Sequence, residues 1–186
     1  MAKSEQAAHT GSGPLLERRY HVDIVRPRHP AAELMQQIQC DVARFSPDLL
    51  ADFEKTTGKQ HNLAVGDEFS IKILGPWNGQ VRVTDVTPTA FEFATLDGHP
   101  EAGHIRFSLL PHPDRADALR FEIRSWARSR DGLVAFMYDK LGAGKRVQEQ
   151  TWRIFCERVA EASGGATLGG VQVETIENGS NQSAYA

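Results

Sequence analysis

The chain has 186 residues, 40% of them hydrophobic and 24% charged, with a formal net charge of −3. That length and apolar content fit one folded domain and argue against two ordinary domains or wholesale disorder. The near-neutral charge argues against a general nucleic-acid binder, which needs a clustered basic surface to neutralise phosphates.

Residues 1–13 are small and polar and lack the apolar core of a secretory signal. They read as a disordered N-terminal tail. Residues 18–25 alternate, with Tyr20, Val22 and Ile24 on one side, and read as a strand. Pro27 and Pro30 stop it. Residues 31–45 place Leu34, Met35, Ile38, Val42 and Phe45 at helical spacing. Ser46, Pro47 and Asp48 form a helix-start signal, which predicts a second helix carrying Leu49, Leu50 and Phe53 and ending near Gly58.

A run of alternating segments follows. Phe69, Ile71 and Ile73 share one phase, Val81 and Val83 the next, then Phe91, Phe93 and Thr95, then Ile105, Phe107 and Leu109. Leu119, Phe121, Ile123 and Ser125 complete the series, opposite Arg120, Glu122, Arg124 and Trp126. Such alternation describes an antiparallel sheet with one buried and one wet face. Residues 131–162 favour a long helix whose apolar stripe holds Val134, Met137, Tyr138, Leu141, Trp152, Phe155, Cys156 and Val159. Residues 163–186 are rich in Gly, Ser, Asn and Thr and read as a flexible C-terminal tail, although Val171, Val173 and Ile176 are compatible with a short strand.

The predicted body is therefore 14–162. It is an α+β fold with a curved antiparallel sheet of about six strands around a long C-terminal helix, and two short helices after the first strand. A sheet cannot leave its apolar face bare, and the long helix is its natural cover. This helix-grip arrangement leaves a concave, mostly apolar interior suited to small molecules.

The stretch from Phe93 through Thr95, Leu96, Gly98, His99, Pro100 and Glu101 to Gly103, followed by Ile105 and Phe107, resembles the signature of a bacterial and plant family of unknown function. Phe121, Ile123, Ser125, Ala127, Arg128 and Ser129 extend the likeness, which covers most of residues 20–159. That family is in turn similar to the START-like (SRPBCC) helix-grip superfamily. The resemblance implies a hydrophobic-ligand cavity and no particular activity, since the superfamily spans carriers, receptors and cyclases.

Polar residues on apolar faces are the candidates for chemistry. Lys145 and Gln148 interrupt the helix stripe; a desolvated Lys145 is a candidate base or imine-former, unless Gly142 and Gly144 turn it to the surface. Tyr138 is placed to donate to a ligand or to the backbone. Thr95 and Ser125, at inward strand positions, are candidates for a cavity mouth. His99 and Glu101 form a candidate acid–base pair, or instead bind their own loop's amides. Phe93, Phe107, Phe121 and Trp152 are the expected apolar ligand contacts. No metal site is expected, because Pro100 stiffens the loop and His104 faces outward.

The expected function is binding of a small hydrophobic or amphipathic molecule between sheet and helix. The alternative is a cyclase-, dehydratase- or lyase-like enzyme using Lys145, Tyr138, His99 or Glu101 for acid–base chemistry in the same cavity. A third reading is an interaction module whose cavity is filled by its own side chains. No cofactor, nucleic acid or stable membrane insertion is expected; no apolar run approaches the roughly 20 residues that cross a bilayer. A homodimer is compatible with the chain. Two cysteines, Cys40 and Cys156, suggest no disulfide framework, so the expected setting is cytoplasmic.

Overall fold

A computed structural model describes residues 3–47, 51–73, 78–131 and 143–178. Its strands are β1 (Ser12–Val25), β2 (Ala51–Thr57), β3 (Glu68–Ile73), β4 (Gly79–Thr87), β5 (Ala90–Thr95), β6 (Glu101–His112), β7 (Arg115–Ser129), β8 (Ala166–Thr167) and β9 (Gln172–Asn178). Its α-helices are α1 (Ala31–Cys40), α2 (Val42–Phe45) and α3 (Ala143–Ser163). All strands join one antiparallel sheet in the order β2-β3-β4-β5-β6-β7-β1-β8, with β9 also pairing β1. The α+β class and the covering C-terminal helix match the sequence reading. The sheet has nine strands, not six.

Most of the meander follows from the alternation that predicts it. Phe91 and Phe93 of β5 face inward, as do Phe107 and Leu109 of β6 and Phe121 and Ile123 of β7, all buried. Phe155 of α3 meets Phe107 at 5.3 Å and Phe121 at 5.9 Å between ring centroids. Trp152 of α3 meets Phe53 of β2 at 6.4 Å. Strands from β2 to β7 thus reach the same helix, so the sheet curves around α3. Register shifts in β4 at Val83/Asp85 and in β6 at Pro111/His112 are bulge-like features that sharpen strand bending.

Two segments predicted as helix differ from the sequence reading. The predicted helix over residues 31–45 breaks at Asp41, whose side chain accepts a hydrogen bond from the Arg44 amide and caps α2. Of the helix predicted over 46–58, residues 51–57 are instead β2. Ala51 and Phe53 are buried while Glu54 is exposed, a period of two, and β3 supplies the pairing partners. The Ser46 hydroxyl donates to the Ala51 carbonyl at 2.6 Å. Asp48, Leu49 and Leu50 lie outside the described residues.

Both segments read as tails have contacts with the sheet. Glu5 bridges Leu96, and Gln6 is buried. β8 pairs Ile24 and Val25, and β9 pairs Leu15 to His21, on the side of β1 opposite β7. The open edge of a long inner strand explains this. Unpaired N–H and C=O groups on β1 would otherwise be left for another chain to pair.

Gly103 fixes where β6 meets β7. It has φ +157°, and a Cβ built there would lie 2.0 Å from the Trp126 carbonyl oxygen. Backbone cannot yield as a flexible side chain can. Gly103→Ala is therefore expected to destabilise the fold by about 2–3 kcal/mol in urea unfolding. Gly170→Ala, with nothing within 4 Å of the built Cβ, is expected to shift stability by less than about 0.5 kcal/mol. Equal effects of the two would contradict the steric reading.

Candidate functional site

The inward phase of β1 delivers a charge into the fold. Tyr20, Val22 and Ile24 are buried, and the same alternation traced backwards reaches Arg18, also buried. Arg18 lies opposite Ser125 of β7. Its Nη1 is 2.8 Å from Oε1 of Glu101, at the start of β6. From α3, Gln148 Nε2 donates to the other carboxylate oxygen of Glu101 at 2.9 Å. Both oxygens are therefore engaged. Burial alone would raise the Glu101 pKa, but the Arg18 charge and the hydrogen bonds from Arg18 and Gln148 hold it below the ordinary glutamate value. Glu101 is an ion at neutral pH.

His99 is buried two residues earlier. Its Nδ1 is 3.0 Å from both the Glu101 amide nitrogen and the Glu101 carbonyl oxygen. The ring thus bonds the backbone of Glu101, not its carboxylate, which is the loop-amide arrangement among the two the sequence left open, not the acid–base pair. Burial pushes the imidazole pKa down, leaving it neutral at pH 7. The ring packs on Gly79 of β4, where a Cβ would lie 2.0 Å from His99 Cδ2. Gln6 closes the loop, donating to the carbonyls of His99 and Glu101 at 3.0 Å each and accepting from the Gly98 amide. Thr95 Oγ1 accepts from the Gly103 amide and donates to the Gln6 carbonyl, both at 3.0 Å. Its hydroxyl holds backbone in place.

These groups border a cavity of about 80 Å³ between the sheet and α3. Ala51, Phe53, Ile71, Val81, Phe93, Ile105, Ala127 and Trp152 form its apolar wall. Thr95, His99, Glu101, Ser125, Gln148 and Thr151 add polar atoms. The volume is several times the roughly 10–15 Å³ that one water needs. It is well short of the roughly 300–1,000 Å³ of a drug-sized site. Ser125 Oγ and Trp152 Nε1 are buried with no hydrogen-bond partner among the described residues.

Most of the sequence-predicted site residues converge here: Phe93, Thr95, His99, Glu101, Ser125, Gln148 and Trp152 all line the cavity. Phe107 and Phe121 do not. Phe107 stacks on Phe91 at 4.6 Å and Phe121 stacks on Phe155 at 5.9 Å, which puts both in the core beneath the cavity. Tyr138 and the Lys145 side chain lie outside the described residues. Sequence reasoning missed Arg18, although it shares the phase of Tyr20, Val22 and Ile24. It also missed Gln6, for which no periodic signal existed, and Phe53 as a cavity wall, because its segment was read as helix. Among the described residues no group of His, Cys, Asp and Glu could hold a metal ion.

The buried charges give stability a pH dependence of definite sign. Glu101 has a folded pKa below its unfolded value, so its contribution is complete above about pH 4.5 and is lost as pH falls through the folded value. The depressed pKa of His99 acts in the same direction but earlier: the unfolded chain takes up that proton first, below about pH 6.5. Thermal melts of Glu101→Gln are expected to show a shallower loss of Tm below pH 4.5 than the wild type. An unchanged slope would mean that Glu101 does not carry the acid limb.

Residues 17–158 match the family described as "Domain of unknown function (DUF1990)". The chain belongs to this family. None of the curated proteins matches it. Among solved structures, this DUF1990 chain is similar to norcoclaurine synthase from Thalictrum flavum, with 7% identity and a TM-score of 0.55, covering 87% of this chain and 94% of that one. It is similar to a conserved protein from Geobacillus kaustophilus, with 13% identity and a TM-score of 0.52, covering 81% of this chain and 98% of that one. A hypothetical protein from Helicobacter pylori matches with 8% identity and a TM-score of 0.53, covering 78% and 86%. At such identities the likeness is one of fold. It is consistent with the helix-grip fold. Among the described residues no helix is long and apolar enough to cross a membrane.

Proposed function

We propose that this DUF1990 domain binds a small amphipathic molecule in the cavity between the sheet and α3. The observation that carries this reading is a walled cavity, apolar along most of its lining, with a minority of polar residues in the wall. The apolar part of the ligand packs against Phe53, Val81, Phe93 and Ile105, where burial supplies about 25 cal/mol per Å² of apolar surface. Norcoclaurine synthase, similar in fold, has been solved in complex with dopamine and hydroxybenzaldehyde, which is compatible with single-ring occupants for this architecture.

Acid–base catalysis in the same cavity is favoured by the neutral His99 and the nearby Glu101. The hydrogen bonding favours binding instead. Glu101 is held ionised by two partners and is a poor proton donor, and His99 Nδ1 is tied to backbone. Native mass spectrometry of the gently purified protein tests the reading, with Ala127→Leu as a cavity-filled variant. The expected result is a small co-purifying species, or saturable binding of an added single-ring compound, on the wild type and not on the variant. A bare wild type that also takes up no added compound would sink it.

A further inference from the structure

Resting on that reading, we infer the chemical class of the ligand: an uncharged single-ring molecule bearing one hydrogen-bond acceptor oxygen, held by Ser125 Oγ–H and Trp152 Nε1–H. Both atoms are buried in residues less than a tenth exposed, both residues line the cavity, and neither atom has a partner among the described residues. A buried donor left unpaired is destabilising, so two on residues of one small cavity point to an acceptor there. Both atoms are closed to water, so the acceptor meets them as the two side chains turn toward the cavity they line. Indole N–H is donor only, so what it faces must accept. A serine hydroxyl can do either and follows its neighbour.

Charge narrows the class further. The cavity already holds the Glu101 carboxylate, whose charge Arg18 balances at 2.8 Å. A ligand carboxylate would add a second anion in a poorly solvated space. An ammonium would have to compete with Arg18 and Gln148 for carboxylate oxygens that are already bonded. A neutral carbonyl meets neither penalty. Size sets the remaining limit, since about 80 Å³ is below the roughly 150 Å³ of an apolar cavity that holds benzene, which makes one ring the upper bound and requires the wall to yield around it.

Calorimetric titration with four matched compounds tests this: acetophenone, ethylbenzene, benzoate and benzylamine. Acetophenone is expected to bind at least tenfold more tightly than each of the others. Ser125→Ala is expected to weaken acetophenone about three- to tenfold while leaving ethylbenzene within twofold, and Trp152→Phe, which also alters the wall, is expected to cut the acetophenone-to-ethylbenzene affinity ratio about three- to tenfold. Melting curves of both variants establish that they fold. Equal binding of acetophenone and ethylbenzene overturns the acceptor inference and leaves the pocket reading standing. Tightest binding by benzoate or benzylamine overturns the uncharged class. No binding by any of the four overturns this inference and counts against the proposed function itself.

Discussion

Arg18→Met is expected to lower folding stability by about 3–5 kcal/mol at pH 7, because it strands an ionised Glu101 inside the fold. The side chains of Arg18 and Glu101 are 8% and 15% exposed, so water cannot replace the lost partner. The fold answers in one of two ways. Either Glu101 stays charged and unpaired, or its pKa climbs and it takes up a proton. Both cost stability at neutral pH. The double variant Arg18→Met/Glu101→Gln removes both charges and is expected to recover more than half the loss, since a buried ion pair contributes little relative to a neutral replacement. Urea unfolding of the three proteins measures this. A loss below about 1 kcal/mol for Arg18→Met would place the pair in the class of solvated surface bridges.

Phe107→Ala is expected to cost a similar amount, about 3–5 kcal/mol, through the cavity it leaves. Phe107 is fully buried. Its ring stacks on Phe91 at 4.6 Å and meets Phe155 at 5.3 Å, Trp152 at 5.6 Å and Phe93 at 5.8 Å. Aromatic pairs add about 0.5–1.5 kcal/mol each beyond area burial, so few sites in this core are more connected. The same variant separates a core role from a ligand-lining one. A side chain that only bordered a ligand would lose binding with little loss of stability. Phe107→Leu, which keeps most of the volume, is expected to lie within about 1.5 kcal/mol of the wild type. A small effect of Phe107→Ala on denaturant midpoint would contradict the core assignment.

What the sequence made legible was the part governed by period. Alternation placed β3 to β7 and set Phe93, Thr95 and Ser125 on the inner face, and the helical stripe placed Gln148 and Trp152 on the side of α3 that meets them. The misreading of residues 46–58 has a local cause. Ser46, Pro47 and Asp48 imitate a helix start, but a free β3 edge offered pairing to residues 51–57, and tertiary pairing overrides a local start signal. Arg18 was overlooked because an arginine at an apolar phase looks like the end of a strand. Its partner Glu101 is 83 positions away, and no local pattern announces such a pair. Gln6, β8 and β9 belong to segments of weak pattern, and the contacts they make depend on a finished sheet. For His99 and Glu101 the sequence left an acid–base pair and bonding to the loop's own amides open, and the structure has the second, since adjacency in sequence lets the imidazole reach backbone before carboxylate.

The claim that a small molecule sits between the sheet and α3 is tested most directly by amide and indole NMR during titration with acetophenone. The Trp152 indole N–H is assigned by its disappearance in Trp152→Phe. If the ligand enters the cavity, that resonance shifts saturably, together with the amides of Phe93, Ile105, Ser125 and Ala127, which border the same space. Shifts confined to residues elsewhere on the surface, or none at saturating ligand, would contradict it.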